Sequence, residues 1–319
     1  MTVRVGLVGA GSVGERHARN LAGFADVELI GICDADPAVA DRLAGELGVP
    51  VVADVPGLLT AGVDALWLCV PPFAHGALEL SVVRAGIPFF VEKPLATDLR
   101  VAQLVADAVA AAGLPTATGY HWRHLDTVER AGRALDGRSV RVVEARWWGE
   151  TPPPAWWSRA ESSGGQIVEQ ATHVLDVIRL LAGEVVEVVG AAAPSSGEGR
   201  DVPDATATVL RFRSGAVGTV STSCVLPVPT AAGLDVVADG LSVHLTETAL
   251  RVRTGEGEEH AEPAVDARRA VDRAFVDVLA GRPAAPGLVD VGEALHTHRL
   301  ACAVARAART GSAVRVGGP

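Results

Sequence analysis

Val3-Arg4-Val5-Gly6-Leu7-Val8-Gly9-Ala10-Gly11-Ser12-Val13-Gly14 opens the chain with an apolar run that passes directly into a GxGxxG turn. Val3 to Val8 predicts a short buried strand and Glu15 to Ala22 predicts a helix, so the glycines lie where a strand hands over to a helix. That context separates a dinucleotide-binding turn from the glycine-rich loops expected of any chain with 35 Gly. Each glycine has a mechanical reason. Gly9 permits the tight turn, Gly11 lets a pyrophosphate approach the backbone, and Gly14 lets helix pack on strand while free N–H groups face the anion. Ser12 and Val13, in the same turn, complete the cofactor-binding set.

The next strand, Val27 to Cys33, ends at Asp34, 20 residues past Gly14, where a carboxylate accepts hydrogen bonds from an adenosine ribose. Asp34 and Asp36 bring negative charge and the nearest following arginine is Arg42, so a 2'-phosphate meets repulsion. NAD is the expected cofactor, with NADP as the alternative. Asp36 suits the cap of a helix over Pro37 to Leu47. The alternation continues with a weak strand at Val51-Val52, a helix over Val55 to Thr60 and a buried strand from Ala65 to Val70, stopped by Pro71-Pro72. A helix over Ala74 to Ala85, a strand ending at Glu92-Lys93, a helix over Asp98 to Ala112 and a strand at Thr116 to Thr118 follow. This alternation predicts an α/β fold whose first domain, 1–120, is a Rossmann-type doubly wound parallel sheet.

Beyond Tyr120 the pattern changes. Val140 to Trp148 alternates as a strand, a helix is expected over Gly165 to Ala182, and six strand-like runs follow between Val185 and Val252, with Ser214-Gly215 and Asp239-Gly240 as hairpin turns. Helices over Ala267 to Ala280 and Val291 to Arg309 close the chain. The second domain, 121–319, therefore reads as α+β with a mostly antiparallel sheet. A length of 319 residues is comfortable for two such domains.

A formal charge of −10 leaves no basic field for phosphodiester backbones or an anionic membrane, so nucleic acid and membrane partners are not expected. No apolar run reaches the ~18 residues of a membrane helix, and the first one reads as a strand rather than a signal segment. The four cysteines, Cys33, Cys69, Cys224 and Cys302, contain no CxxC pair, which supports neither a zinc site nor a redox motif. A cytoplasmic location with reduced thiols is the expectation.

Lys93 is the only lysine in the chain. Where every other side-chain cation is arginine, one retained amine suggests a task guanidinium cannot perform, such as proton exchange. It follows a strand-like run and precedes Pro94, and a cis bond between them would aim the amine into a cleft at the strand's carboxyl end. The second cluster lies in the expected helix 165–182, where Glu169, His173 and Asp176 fall at spacings of four and three on one face. Three hydrogen-bonding side chains on a mostly apolar helix need partners, and a polyhydroxylated substrate supplies them. No further His or Cys cluster accompanies them, so no metal is expected. Tyr120, Trp122 and Arg123 follow the last strand of the first domain and are expected to line the substrate cleft. Ring faces of Trp122, Trp147, Trp148, Trp156 and Trp157 can pack in the core or stack on sugars.

Taken together, Gly9, Gly11 and Gly14 with Asp34, the Val70-Pro71-Pro72 to His75 segment, Glu92-Lys93-Pro94, the Gly164 to Asp176 helix and the ending Ala308 to Val316 resemble the Gfo/Idh/MocA oxidoreductases, matching in order along nearly the whole chain. The resemblance implies hydride transfer between a nicotinamide cofactor and a hydroxyl-bearing carbon of a sugar or cyclitol. It implies Lys93 and His173 as catalytic residues, and Pro71, His75, Glu92 and Lys93 as additional cofactor neighbours. It further implies Asp176 as a substrate contact and a homo-oligomer, dimer or tetramer, formed through the open sheet. Glu169 stands where the family commonly has Asp, which points to substrate binding rather than proton transfer.

His173, with an ordinary pKa near 6.5, is the expected general base, and the Lys93 ammonium can stabilise a developing alkoxide. The same resemblance also covers NAD-assisted glycosidases, which form no net NADH, and regulatory proteins that bind nucleotide without turnover.

Overall fold

The computed structural model describes residues Thr2–Gly317 as two compact units. The first comprises the chain up to Ala96, Arg100–His121 and Ala267–Leu295; the second comprises Thr97–Leu99, Trp122–Asp266 and the segment from His296 onward. Ala267–Leu295 thus returns to the first unit, which a simple 1–120/121–319 division leaves in the second.

In the first unit, strands β1 (Val3–Val8), β2 (Val27–Cys33), β3 (Ala65–Leu68), β4 (Phe89–Val91) and β5 (Thr116–Thr118) form a parallel sheet in the order β2-β1-β3-β4-β5. The connecting helices are α1 (Ser12–Ala22), α2 (Pro37–Leu47), α3 (Val55–Thr60), α4 (Ala77–Arg84) and α5 (Leu99–Ala112). Strand order reverses at β1, which pairs with both β2 and β3, and a ligand crevice is expected at such a reversal outside the carboxyl ends. Val51 forms only an isolated bridge to Ile32 rather than the expected strand. Pro72–Ala74 is a 3₁₀ turn that delays α4 to Ala77. The Lys93–Pro94 bond is cis, as the sequence suggests.

The second unit begins with α6 (Asp126–Leu135), an amphipathic helix the sequence reading passes over. Next come β6 (Val140–Trp148), the short helices α7 (Ala160–Ser163) and α8 (Gly165–Glu169), then α9 (Thr172–Ala182). The expected single helix 165–182 is therefore two. The amides of Gln170 and Ala171 both reach the Gln166 carbonyl, widening the turn between them. Strands β7 (Val185–Ala193), β8 (Ala205–Phe212), β9 (Val217–Ser223), β10 (Ala231–Ala238), β11 (Leu241–Thr246), β12 (Leu250–Thr254), β13 (Gly257–Ala261) and β14 (Val314–Arg315) complete, with β6, a nine-stranded sheet. Of these, β13 and β14 are not anticipated from the sequence. All its pairs are antiparallel except β6 with β9. One face is covered by α6 and α9. The other carries exposed Val237, Val142 and Val217 in one cross-strand row, and exposed Val189 beside Val209 in another.

The remaining helices are α10 (Ala267–Leu279) and α11 (Val291–Thr310). α10 packs on α1 and brings Val271, Phe275 and Val276 into the core of the parallel sheet. There the rings of Trp67, Phe90 and Phe275 meet at centroid distances of 5.4–6.4 Å.

Candidate active site

At the turn after β1, Gly9 has φ 93°, and a Cβ on it would collide with the Cys69 carbonyl. A Cβ on Gly14 would strike the Gly9 carbonyl, so helix and strand approach closely only because both residues are glycine. Gly11 is different, since a Cβ there would meet no protein atom within 4 Å among the described residues. Its smallness serves nothing inside the protein and suits a pyrophosphate drawn against the backbone. Ser12 and Val13, exposed in the first turn of α1, present helix N–H groups beside it.

Asp34 is fixed by two backbone donors, the Ala10 N–H to Oδ2 at 2.6 Å and the Asp36 N–H to Oδ1 at 2.8 Å. A carboxylate oxygen accepts more than one hydrogen bond, so each keeps capacity for a ribose hydroxyl. Asp36 caps α2 through the Ala38 N–H. Arg42 is bound by Glu15 and Glu46, and Arg19 by the same two acids. The arginine nearest to Asp34 in sequence is thereby committed to carboxylates, which matches NAD better than NADP.

Pro71 follows the end of β3, and His75 comes shortly after it. The His75 Nδ1 pairs with Glu79 Oε1 at 2.6 Å, and Glu79 also takes the Gly76 N–H. His75 Nε2 is buried with no hydrogen-bond partner among the described residues, as is Thr118 Oγ1. Orphaned polar atoms of this kind on the carboxyl side of a Rossmann sheet fit a polar cofactor. Glu92 and the half-buried Lys93 follow β4 on the same side.

In the second unit His173 lies at the start of α9, buried, with Trp122 and Trp147 against it. Its ring stacks on Trp122 at 6.3 Å and 12° and on Trp147 at 6.0 Å and 23°. Trp122 Nε1 is buried and finds no acceptor among the described residues. Tyr120, which belongs to the first unit, is buried as well. The wide turn after Gln166 separates Glu169 from α9, and Glu169 Oε2 instead accepts the Trp157 indole N–H at 2.9 Å.

Asp176, expected from the resemblance to contact substrate, has both carboxylate oxygens engaged within the protein. Arg123 donates to them bidentately at 2.7 Å each, and Thr297 Oγ1 donates to Oδ1 at 2.8 Å. Burial pushes its pKa up although Arg123 and Thr297 oppose the shift. The arrangement makes Asp176 first of all the anchor of Arg123. Trp148 bonds Ser221 on the sheet.

Sequence reasoning misses His17 and Asp272, which join Glu92 beside Lys93. The signal exists. Gly14, His17, Ala18 and Leu21 form the buried 3-4-7 stripe of α1, and Asp272 sits on the buried face of α10. Among the described residues no three His, Cys, Asp or Glu side chains converge as a metal site, and no helix is long and apolar enough to cross a membrane.

Residues 3–120 match the family described as "Oxidoreductase family, NAD-binding Rossmann fold", and residues 130–251 match the "GFO/IDH/MocA C-terminal domain". The chain is 30% identical to the myo-inositol dehydrogenase Hyg17 of Streptomyces leeuwenhoekii, covering 98% of each. It is 32% identical to the inositol 2-dehydrogenase of Rhizobium meliloti (strain 1021), over 70% of this chain and 69% of that one. Its fold is similar to that of the WlbA dehydrogenase of Bordetella pertussis in complex with NADH and UDP-GlcNAcA, with TM-score 0.87, 22% identity and coverage of 100% and 99%. A levoglucosan dehydrogenase in complex with NADH and levoglucosan is similar at TM-score 0.87, 19% identity and 99% coverage of both chains.

Proposed function

The chain belongs to the GFO/IDH/MocA family of oxidoreductases, and on that premise we propose that it is an NAD-dependent dehydrogenase oxidising a ring hydroxyl of a cyclitol or closely related sugar, with myo-inositol the first candidate. The observation that carries this reading is the end-to-end relationship to a myo-inositol dehydrogenase, which covers 98% of both chains. The first unit serves the cofactor and the second the substrate.

The residues assigned to the cofactor are Gly9, Gly11, Ser12, Val13, Gly14, Asp34, Pro71, His75, Glu92 and Lys93. NAD, when bound, supplies the hydride acceptor. His173 takes the alcohol proton, its ring orientation fixed by Trp122 and Trp147. Lys93 bears the positive charge that stabilises the oxyanion as the proton leaves. The Trp122 indole N–H and the Arg123 guanidinium, held by Asp176, bind substrate hydroxyls together with Tyr120 and Glu169. The exposed valine rows of the nine-stranded sheet support assembly as a homo-oligomer, dimer or tetramer, and four free thiols suit a cytoplasmic setting.

The test is a spectrophotometric screen of NAD and NADP against myo-inositol, its epimers and common aldoses. NAD-dependent NADH formation with an inositol is expected. NAD binding without NADH formation for any polyol, or sugar release without net NADH, would replace this reading with one of the other two family activities. Sedimentation of the purified protein checks assembly, and a monomer would remove the oligomer from the proposal.

A further inference from the structure

His17 follows the dinucleotide turn on α1, and its ring is fully enclosed against Phe90 at 5.0 Å. Both ring nitrogens face carboxylates. Nδ1 lies 2.6 Å from Asp272 Oδ1 and Nε2 lies 2.9 Å from Glu92 Oε1. A neutral imidazole donates from one nitrogen only, and its other lone pair would confront an anionic oxygen. The imidazolium satisfies both contacts.

Both acids accept further hydrogen bonds from surrounding donors. Asp272 Oδ1 also accepts the Trp67 indole N–H at 2.9 Å, and Oδ2 accepts Asn20 Nδ2 at 2.8 Å. The second oxygen of Glu92 accepts the backbone N–H of Lys93 at 3.0 Å. A Cβ on Gly119 would overlap the Glu92 carboxylate, so a glycine follows β5 where that carboxylate needs space. The chain of contacts runs from α10 through α1 to the backbone of Lys93. Well-packed apolar side chains often stabilise a core as much as a buried ion pair does, so stability alone does not account for these charges.

We propose that His17, as an imidazolium clamped between Asp272 and Glu92, is a positioning residue that sets Lys93 relative to the dinucleotide-binding helix α1. The inference rests on the reading of Lys93 given above. Burial opposes charge on His17, but Asp272 and Glu92 outweigh it and raise its pKa to about 9. Burial likewise opposes charge on Glu92, yet His17, Lys93 and Arg16 hold it at about 2. The other charged or titratable groups facing the cluster are Arg16, 3.8 Å from Glu92, and the Cys69 thiol, which burial and the two acids push well above its usual range. The clamp is thus closed at neutral pH and opens as His17 deprotonates.

Because Lys93 is the only lysine, a ¹³C-lysine-labelled chain gives a single backbone Cα signal at this position. In the NAD-bound enzyme that signal is expected to shift with a midpoint near pH 9, and the His17→Gln variant is expected to lose the transition. A signal that ignores His17, or a His17 ring that is neutral at pH 7.5 by ¹⁵N-histidine spectroscopy, would overturn the inference.

Kinetics with myo-inositol and NAD separate the two proposals. His17→Gln is expected to lower kcat roughly tenfold or more with KM for NAD nearly unchanged, and to have little further effect in a Lys93→Ala background. Equal losses in both backgrounds would reduce His17 to a structural role while leaving Lys93 in place. Unchanged kcat in Lys93→Ala would remove the Lys93 assignment itself, and the inference with it. Should His17→Gln fail to fold, Asp272→Asn, which keeps the shape and removes the charge, takes its place in the same cycle.

Discussion

The indole N–H of Trp157 donates to Glu169 Oε2 at 2.9 Å, joining the loop before α7 to the end of α8. Trp157 is itself packed with Val202 and Cys224, so the carboxylate is held by a group with little freedom to move. Trp157→Phe keeps the ring and removes the donor. It is expected to cost about 1 kcal/mol in urea unfolding and to raise KM for substrate more than it lowers kcat. An unchanged KM would take Glu169 out of the substrate site.

Lys93→Arg keeps a positive charge but replaces the compact ammonium by a guanidinium that does not exchange its proton. His173→Ala removes the proposed base. Each is expected to lower kcat by about 100-fold, with NAD affinity nearly intact in a fluorescence titration. Wild-type turnover in either variant would remove that residue from the mechanism.

Stability should depend on pH through His17. Its folded pKa, about 9, is raised above the ordinary 6.5, so its contribution is fully present below pH 6.5 and is lost as pH rises through 9. Glu92 is the depressed partner of the same contact. Its contribution is present above pH 4.5 and lost as pH falls through about 2. Urea midpoints are expected to fall between pH 7 and 10 in the wild type. His17→Gln should flatten that slope, and an equally steep slope in the variant would assign the loss to other groups.

Arg123 and Asp176 form a buried bidentate pair. Arg123→Ala leaves the Asp176 carboxylate without its main counter-charge and is expected to cost about 3–5 kcal/mol. Arg123→Lys should restore only part of this, because one ammonium cannot make both parallel bonds. Thermal unfolding of the two variants beside wild type decides it, and equal melting temperatures would refute the anchor role of Asp176.

Asp34→Ala removes an acceptor for the ribose and the tie to Ala10 together. NAD affinity is expected to fall by about 10- to 100-fold, equivalent to losing one or two charge-assisted hydrogen bonds. A smaller loss for NADP than for NAD is the expected accompaniment, since the carboxylate no longer repels a 2'-phosphate. Equal losses for both cofactors would contradict that charge argument.

Much of this protein was determined by its sequence alone. Glycine spacing after β1, the capping of α2 by Asp36 and the alternation of apolar runs are local properties, set by backbone sterics and by side-chain period, and they fix the element order and the parallel sheet. Lys93 stands out because it is the sole lysine, and His173 because it shares one polar face with Glu169 and Asp176 in a mostly apolar stretch. Tertiary structure decided which polar groups are engaged and by what. Asp272 meets His17 across 255 residues, and Thr297 meets Asp176 across 121, separations that no local pattern encodes. The wide turn after Gln166 also follows from context, because helix period places Glu169 on the His173 face only while the helix is unbroken. A carboxylate's role depends on which donors the fold brings to it, and those donors come from distant parts of the chain.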